Sequence, residues 1–170
     1  MTLEHVNPGD KATASKINEI IDAINNILAE MITVKDSGFT QNDFTTDEAN
    51  INDGDYDTYA YTTTNPAIAK YDLGEPKRIF AVDLKVATYY YNSFTSSYGR
   101  ATLSDHYTLI RKKYRYIRCY ATTINETGYR LYLQGSNDDT TWENIASSTA
   151  NNDKLSLVRN ELYEFVVYYI

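Results

Sequence analysis

The chain has 170 residues and a formal net charge of −7 at pH 7, from 16 Lys and Arg against 23 Asp and Glu. Its hydrophobic fraction of 42% is typical of globular proteins, which excludes a chain that is disordered throughout. The acidic balance argues against a dedicated nucleic-acid-binding protein. Because Cys119 is the single cysteine, an internal disulfide and a cysteine-based zinc site are also excluded.

The sequence pattern predicts neither a membrane span nor a secretory signal. No apolar run reaches the roughly 20 residues that a membrane helix needs, so we expect no membrane insertion. The opening residues, Met1 to His5, lack a basic region and an apolar core. The most unusual feature is a total of 17 tyrosines, a residue that suits strands and half-wet interfaces.

Residues 1–31 are predicted to form an N-terminal arm and a short oligomerisation helix. Turn-forming residues at 7–10 come first, and apolar residues then recur at alternating intervals of three and four. This spacing is the seam pattern of a coiled coil. The predicted seam consists of Ile17, Ile20, Ile24, Ile27 and Met31.

A helix of about two heptads is marginal alone in water, so this seam needs a partner. Isoleucine at both seam positions favours assemblies of more than two helices, which predicts a homo-oligomer and favours a trimer. The alternative is that the seam packs on the domain of its own chain.

Residues 32–170 are predicted to form one mainly β domain. Val82, Leu84 and Val86 alternate with polar residues, as in a half-buried strand. Further runs of aromatic and β-branched residues, with polar turn-forming stretches between them, predict an antiparallel β-sandwich or jelly roll. The strand runs cover residues 114–121, 129–133 and 163–170, and the predicted turns cover 92–99, 122–128, 135–141 and 147–154.

An acidic loop is the best candidate for a metal site. Asp53, Asp55 and Asp57 lie at alternate positions, and carboxylates this close repel one another unless a cation or backbone amides compensate. Calcium prefers such oxygen ligands, but Thr58 stands where an EF-hand loop needs glycine, which excludes that motif. The alternative is a metal-free turn in which Asp53 accepts backbone N–H bonds.

A tyrosine-rich segment is the best candidate for a carbohydrate-binding site. Strand alternation places Tyr89 and Tyr91 on one face and Tyr90 on the other. Aromatic faces can stack on sugars, and neighbouring polar groups can bond sugar hydroxyls; tyrosine also anchors protein contacts. The candidate residues are Tyr89, Tyr90, Tyr91, Asn92 and Phe94. The alternative is that these rings fill the core or a subunit interface.

Two further patterns carry weaker signals. Residues 111–118 interleave basic and aromatic residues as single-strand binders do, but the charges fall on both faces of one strand. We therefore expect no nucleic-acid partner. His5 and His106 lie in no nucleophile motif, and we predict no catalytic residue and no enzyme activity.

Three stretches, in order, resemble the discoidin family, also called F5/8 type C or galactose-binding-like. Residues 50–59 are similar to its N-A-x-D-G-D-x-x-T-x-W loop, residues 69–74 to its x-DLG strand end, and residues 133–142 to its S-x-D-G-x-x-W turn. The chain departs from the pattern at Ala60, where the family often has tryptophan, and at Asp139, where it has glycine.

The discoidin resemblance implies a discoidin-like sandwich, an inward-packed Trp142 and a structural calcium site. The implied calcium ligands are Asp53, Asp55 and Thr58, with Asp57 as a further candidate.

Residues 7–21 are similar to the "G-x-x-hydrophobic-T-A-S-x-hydrophobic-N" opening of phage and archaeal-virus appendage proteins. In those proteins a short helix gathers subunits before a receptor-binding domain. This resemblance implies a virion structural protein on the particle surface, made in a host cytoplasm: a head or tail fibre, spike or decoration component. Its implied partners are other virion proteins and host glycans. The alternative is a carbohydrate-binding module of a cellular adhesin or glycosidase.

Overall fold

A computed structural model describes residues 13–31, 33–35, 38–109, 112–123, 128–151 and 154–170. The chain separates into two compact units, residues 1–32 and residues 33–170. In the described residues, the first unit contains a helix and the second contains antiparallel strands. The predicted class, mainly β with one N-terminal helix, is therefore confirmed.

Helix α1 spans Ala14–Met31. Thr13 caps it, since the Thr13 hydroxyl accepts a hydrogen bond from the backbone N–H of Lys16 at 3.3 Å. The described isoleucines of the helix are about half exposed: Ile17 46%, Ile20 45%, Ile21 47% and Ile24 50%. The side chains of Ile27 and Met31 lie outside the described part of the structure. The described helix is not long and apolar enough to cross a membrane.

The described strands of the second unit all pair in antiparallel fashion. A short 3-10 turn at Glu48–Asn50 precedes the third of them. The strands are β1 Thr33–Lys35, β2 Gln41–Asn42, β3 Ala60–Thr62, β4 Ala67–Asn92, β5 Ser97–Thr108, β6 Lys113–Thr123, β7 Gly128–Ser136, β8 Glu143–Asn151 and β9 Leu155–Tyr169.

The long strand β4 belongs to two layers. Residues 67–78 of β4 pair with β2 and β6, and β7 and β8 follow; we call this the β6 layer. Residues 79–92 pair with β5 and β9, and β1 and β3 join β9; this is the β9 layer. A register shift between Asp72 and Lys77, with Gly74 at a φ of +82°, lies where β4 changes partners.

The core lies between these two layers. Tyr71 of the β6 layer has its ring 5.0 Å from that of Phe165 in the β9 layer, and its hydroxyl donates to the Phe165 carbonyl at 2.6 Å. Phe39 stacks on Tyr71 at 4.5 Å. Tyr90 of the β9 layer stacks on Tyr129 of the β6 layer at 6.2 Å. The arrangement is that of an antiparallel sandwich, and jelly-roll connectivity stays a prediction.

The alternation that predicted strand faces is confirmed in β4, because Val82, Leu84 and Val86 are all buried in the core. The turn predicted at residues 147–154 is wrong, since β8 continues to Asn151. Ser147 lies opposite Tyr132 of β7, and the following residues continue this pairing. The polar side chains of this segment indicated a turn, but backbone pairing with β7 keeps it extended.

Candidate binding surface

Three tyrosines form an outward patch on the β9 layer beside the β4–β5 hairpin. Tyr89 and Tyr91 alternate with core-facing residues of β4, and Tyr98 comes from the start of β5. The Tyr98 ring stacks on Tyr89 with centroids 5.5 Å apart and lies 5.0 Å from the Tyr91 ring. Tyr98 is 63% exposed, so the patch, defined as Tyr89, Tyr91 and Tyr98, presents ring surface to solvent.

The other candidate sugar-binding residues occupy different positions. Tyr90 packs against the core, and Gly99 leaves room for it, since a Cβ there would lie 2.7 Å from the Tyr90 hydroxyl. Asn92 is buried, and its Oδ1 accepts the backbone N–H of Phe94 at 3.0 Å. Phe94 is 82% exposed at the hairpin turn. The structure thus brings Tyr89 and Tyr91 together, while Tyr90 and Asn92 shape the hairpin.

A buried carboxylate lies next to the tyrosine patch. Glu161 of β9 is fully buried, and its register partner on β4 is the small residue Ala87. Its carboxylate accepts hydrogen bonds from Nε of Arg100 at 3.1 Å, from Nε of Arg159 at 3.1 Å and from the Tyr163 hydroxyl. Two guanidinium groups face one carboxylate, so this cluster carries a net positive charge.

The same two arginines flank the tyrosine patch. Arg100 and Arg159 are the register partners of Tyr89, and their guanidinium carbons lie 4.8 Å and 4.7 Å from its ring centroid. Arg159 also donates from Nη2 to the Tyr59 hydroxyl at 2.7 Å. The hydrogen bond to Glu161 raises the pKa of Arg100, so this guanidinium stays charged. The cluster therefore holds Tyr89 in place from both neighbouring strands.

Sequence reasoning missed this cluster. Arg100 and Glu161 are 61 residues apart, and they meet only because β4 pairs with both β5 and β9. A signal did exist in the segment Arg159–Tyr163, where an arginine and a glutamate interrupt a strand that is otherwise rich in apolar residues. Such charges inside a core strand indicate either a strand edge or a buried ion pair.

The acidic loop is closed by its own hydrogen bonds. Asp53 accepts the backbone N–H of Asp55 at 2.8 Å with one oxygen and the Thr58 hydroxyl at 2.6 Å with the other. Asp55 in turn accepts the backbone N–H of Asp57 at 2.9 Å. The Thr58 hydroxyl bond is the main cause that lowers the pKa of Asp53, and the Asp55 amide adds to it. Asp53 therefore accepts a backbone N–H bond, as the turn alternative predicts, and this bond does not decide whether a metal binds.

The acidic loop gives no independent support to the implied calcium site. The bonded carboxylate oxygens of Asp53 and Asp55 each accept a donor of their own loop. Within the described part of the chain, no group of three or more acidic, His or Cys side chains is placed to hold a metal. Structural calcium stays a prediction, and a fall in melting temperature on adding EDTA would support it.

Trp142 does not pack into the core, and the expectation that it does is wrong. It is half-buried, lies outside the core cluster and stacks on the Arg118 guanidinium, whose carbon is 3.8 Å from the ring centroid. The preceding turn directs it outward: Ser136 and Asp138 bond the turn backbone, and Asp139 takes a φ of +60°. The indole therefore covers the outward face of the β6 layer.

His106 has a carboxylate neighbour across the strands. Its Nδ1 bonds Asp83 Oδ1, and the Tyr168 hydroxyl donates to the other Asp83 oxygen at 2.8 Å. The bond to Asp83 is the main cause that raises the pKa of Tyr168 to about 12. Among the described residues, the His106 ring bonds Asp83 and no hydroxyl or thiol.

No family model matches the chain, and neither a curated protein nor a solved structure matches it. The resemblances to the discoidin family and to viral appendage proteins therefore stay predictions.

Proposed function

We propose that the chain is a non-catalytic adhesion and assembly protein of a virus particle. In this role it is a head or tail fibre, spike or decoration component. It binds host glycans through the tyrosine patch and self-associates through α1. The similarity of residues 7–21 to the opening of viral appendage proteins supports the virion assignment.

The observation that carries the proposal is the tyrosine patch itself. Its rings are exposed on one side and held in mutual contact at 5.0 Å and 5.5 Å, with arginines against Tyr89. Rings fixed in this way lose little side-chain entropy when a sugar stacks on them. Guanidinium and hydroxyl groups beside the rings can bond sugar hydroxyls. These features suit recognition without chemistry.

The glycan proposal predicts a loss of binding when patch rings are removed. Full-length protein is applied to a glycan array, and the variant carrying Tyr91→Ala and Tyr98→Ala is expected to lose about tenfold or more in apparent affinity. Tyr56→Ala is the matched control, because Tyr56 is 60% exposed but lies outside the patch. Absence of any bound glycan, or equal binding by the patch variant, contradicts the proposal.

Self-association is supported by the isoleucines of α1, which are about half exposed at three- and four-residue spacing. A second and third copy of the same helix supply the apolar surface that this seam needs. Copies joined in this way present several tyrosine patches at once, so that individually weak glycan contacts combine into a high overall avidity for the glycan-bearing surface.

The proposed helix seam predicts that changing its isoleucines lowers the mass of the protein in solution. The variant carrying Ile20→Asp and Ile24→Asp is expected to be monomeric in light scattering after gel filtration, whereas the wild type is a trimer. Asn25→Asp is the matched control, because it adds an acid at an exposed position outside the seam. A monomeric wild type that still binds glycans would favour the alternative, a carbohydrate-binding module, over a virion component.

A further inference from the structure

Arg118 lies on the outward face of the β6 layer, between two aromatic rings. Its neighbours in β6, Ile117 and Cys119, are fully buried in the core, so alternation directs Arg118 outward. Its guanidinium carbon is 3.8 Å from the Trp142 ring centroid and 4.8 Å from that of Tyr120. The side chain is half-buried by these rings.

Two neighbouring cations on this face, Lys70 and Arg115, each have a directly bonded carboxylate, but Arg118 does not. Lys70, the register partner of Arg118 on β4, pairs with Asp139 at 2.7 Å. Arg115 pairs with Asp72 at 2.9 Å. Among the described residues, none forms an ion pair with Arg118.

The contacts of Arg118 orient its guanidinium without neutralising it. Its Nε donates to the side-chain carbonyl of Gln134 at 2.8 Å, and Gln134 is fixed by a bond to Asn144 at 2.7 Å. Gln134 and Asn144 are successive register partners on β7 and β8, so the three side chains form a row across the layer. The terminal Nη groups have no acceptor among the described residues.

A partly desolvated cation with no directly bonded carboxylate is costly. Burial is the main cause that lowers the pKa of Arg118, and Asp139, which pairs directly with Lys70, offsets it only in part. The two ring contacts recover part of that cost. A carboxylate from a ligand would complete the site, because its two oxygens match the planar fork of a guanidinium. A ligand with many charges fits poorly, since the protein is acidic and Asp139 and Asp72 lie close by.

We propose that Arg118, flanked by Trp142 and Tyr120, binds a sugar that carries a single carboxylate. The Nη groups of Arg118 bond the carboxylate, and the exposed parts of the two rings contact the sugar body. The proposal rests on the proposed glycan binding for its class of ligand, but it uses a different layer and different residues from the tyrosine patch.

The test compares acidic sugars with a neutral one. Full-length protein is titrated with sialyllactose, glucuronyl-galactose and lactose by calorimetry. We expect at least one acidic sugar to bind about tenfold or more tighter than lactose, and Arg118→Gln to remove this preference. Arg118→Lys keeps the positive charge but lacks the planar guanidinium, so this variant should retain only part of the preference for the acidic sugar.

Arg130→Gln is the matched control, because it removes the same charge from an exposed arginine of β7. It should leave the preference intact. Equal binding of all three sugars, binding of none, or equal losses in Arg118→Gln and Arg130→Gln would overturn the proposal. Circular dichroism and melting of Arg118→Lys show that a folded variant is being compared.

The same experiment separates this inference from the proposed function. If the variant with Tyr91→Ala and Tyr98→Ala loses array binding but keeps the preference for the acidic sugar, both sites stand. If array binding is lost only through the tyrosines and no acidic sugar is preferred, the Arg118 inference alone fails. If the acidic preference depends on Arg118 and the tyrosine variant binds normally, the tyrosine patch alone fails.

Discussion

Replacing Glu161 with alanine is expected to lower the free energy of unfolding by about 3 kcal/mol, as measured by urea denaturation. The carboxylate is fully buried and accepts bonds from Arg100, Arg159 and Tyr163. Its removal leaves two guanidinium groups facing each other without a counter-charge. This loss is at the lower end of the range that is usual for breaking a buried ion pair, because the Arg100 side chain is 46% exposed and can be hydrated.

Glu75→Ala provides the matched control for Glu161→Ala. The Glu75 side chain is 69% exposed and, among the described residues, pairs with Lys77 alone, so water replaces the lost partner and no measurable change is expected.

Glycan binding by Glu161→Ala distinguishes a positioning role of Glu161 from a general loss of stability. Under conditions in which Glu161→Ala is still folded, its glycan binding should fall, because both arginines that hold Tyr89 lose their shared acceptor. Equal small losses of stability in the two variants would contradict the burial argument.

Short-range patterns in the sequence predicted the elements that depend on neighbours in the chain. The three- and four-residue spacing of isoleucines predicted α1, and the alternation of Val82, Leu84 and Val86 predicted which face of β4 is buried. Both follow from the fixed repeat of helices and strands. The same alternation placed Tyr89 and Tyr91 on one face, which is where the structure has them.

Features that depend on strand register could not be predicted in this way. The burial of Glu161 requires that β9 pair with β4 at Ala87, and nothing within β9 specifies that partner. The discoidin resemblance implied a core position for Trp142, but the backbone bonds of the preceding turn direct it onto Arg118. The arginine and glutamate contacts that support the tyrosine patch thus arise between strands that are distant in sequence.

Phe165→Ala is expected to lower the free energy of unfolding by about 4 kcal/mol, which makes it the most destabilising core change that we propose. Phe165 is fully buried between the layers, with ring centroids 5.0 Å from Tyr71 and 5.8 Å from Phe39. Alanine would remove the ring and leave a cavity that β-sheet backbones on both sides prevent from closing. The loss should appear as a lower midpoint in urea.

Phe94→Ala removes the same side chain from a position that is 82% exposed, so its expected loss is below about 0.5 kcal/mol. Tyr71→Phe removes only the hydroxyl that donates to the Phe165 carbonyl at 2.6 Å and should cost about 1 kcal/mol. The expected loss in free energy of unfolding is thus largest for Phe165→Ala, smaller for Tyr71→Phe and smallest for Phe94→Ala. This order follows if the two layers are held together mainly by apolar contact. A larger loss from Tyr71→Phe than from Phe165→Ala would mean instead that the buried hydrogen bond joins the layers.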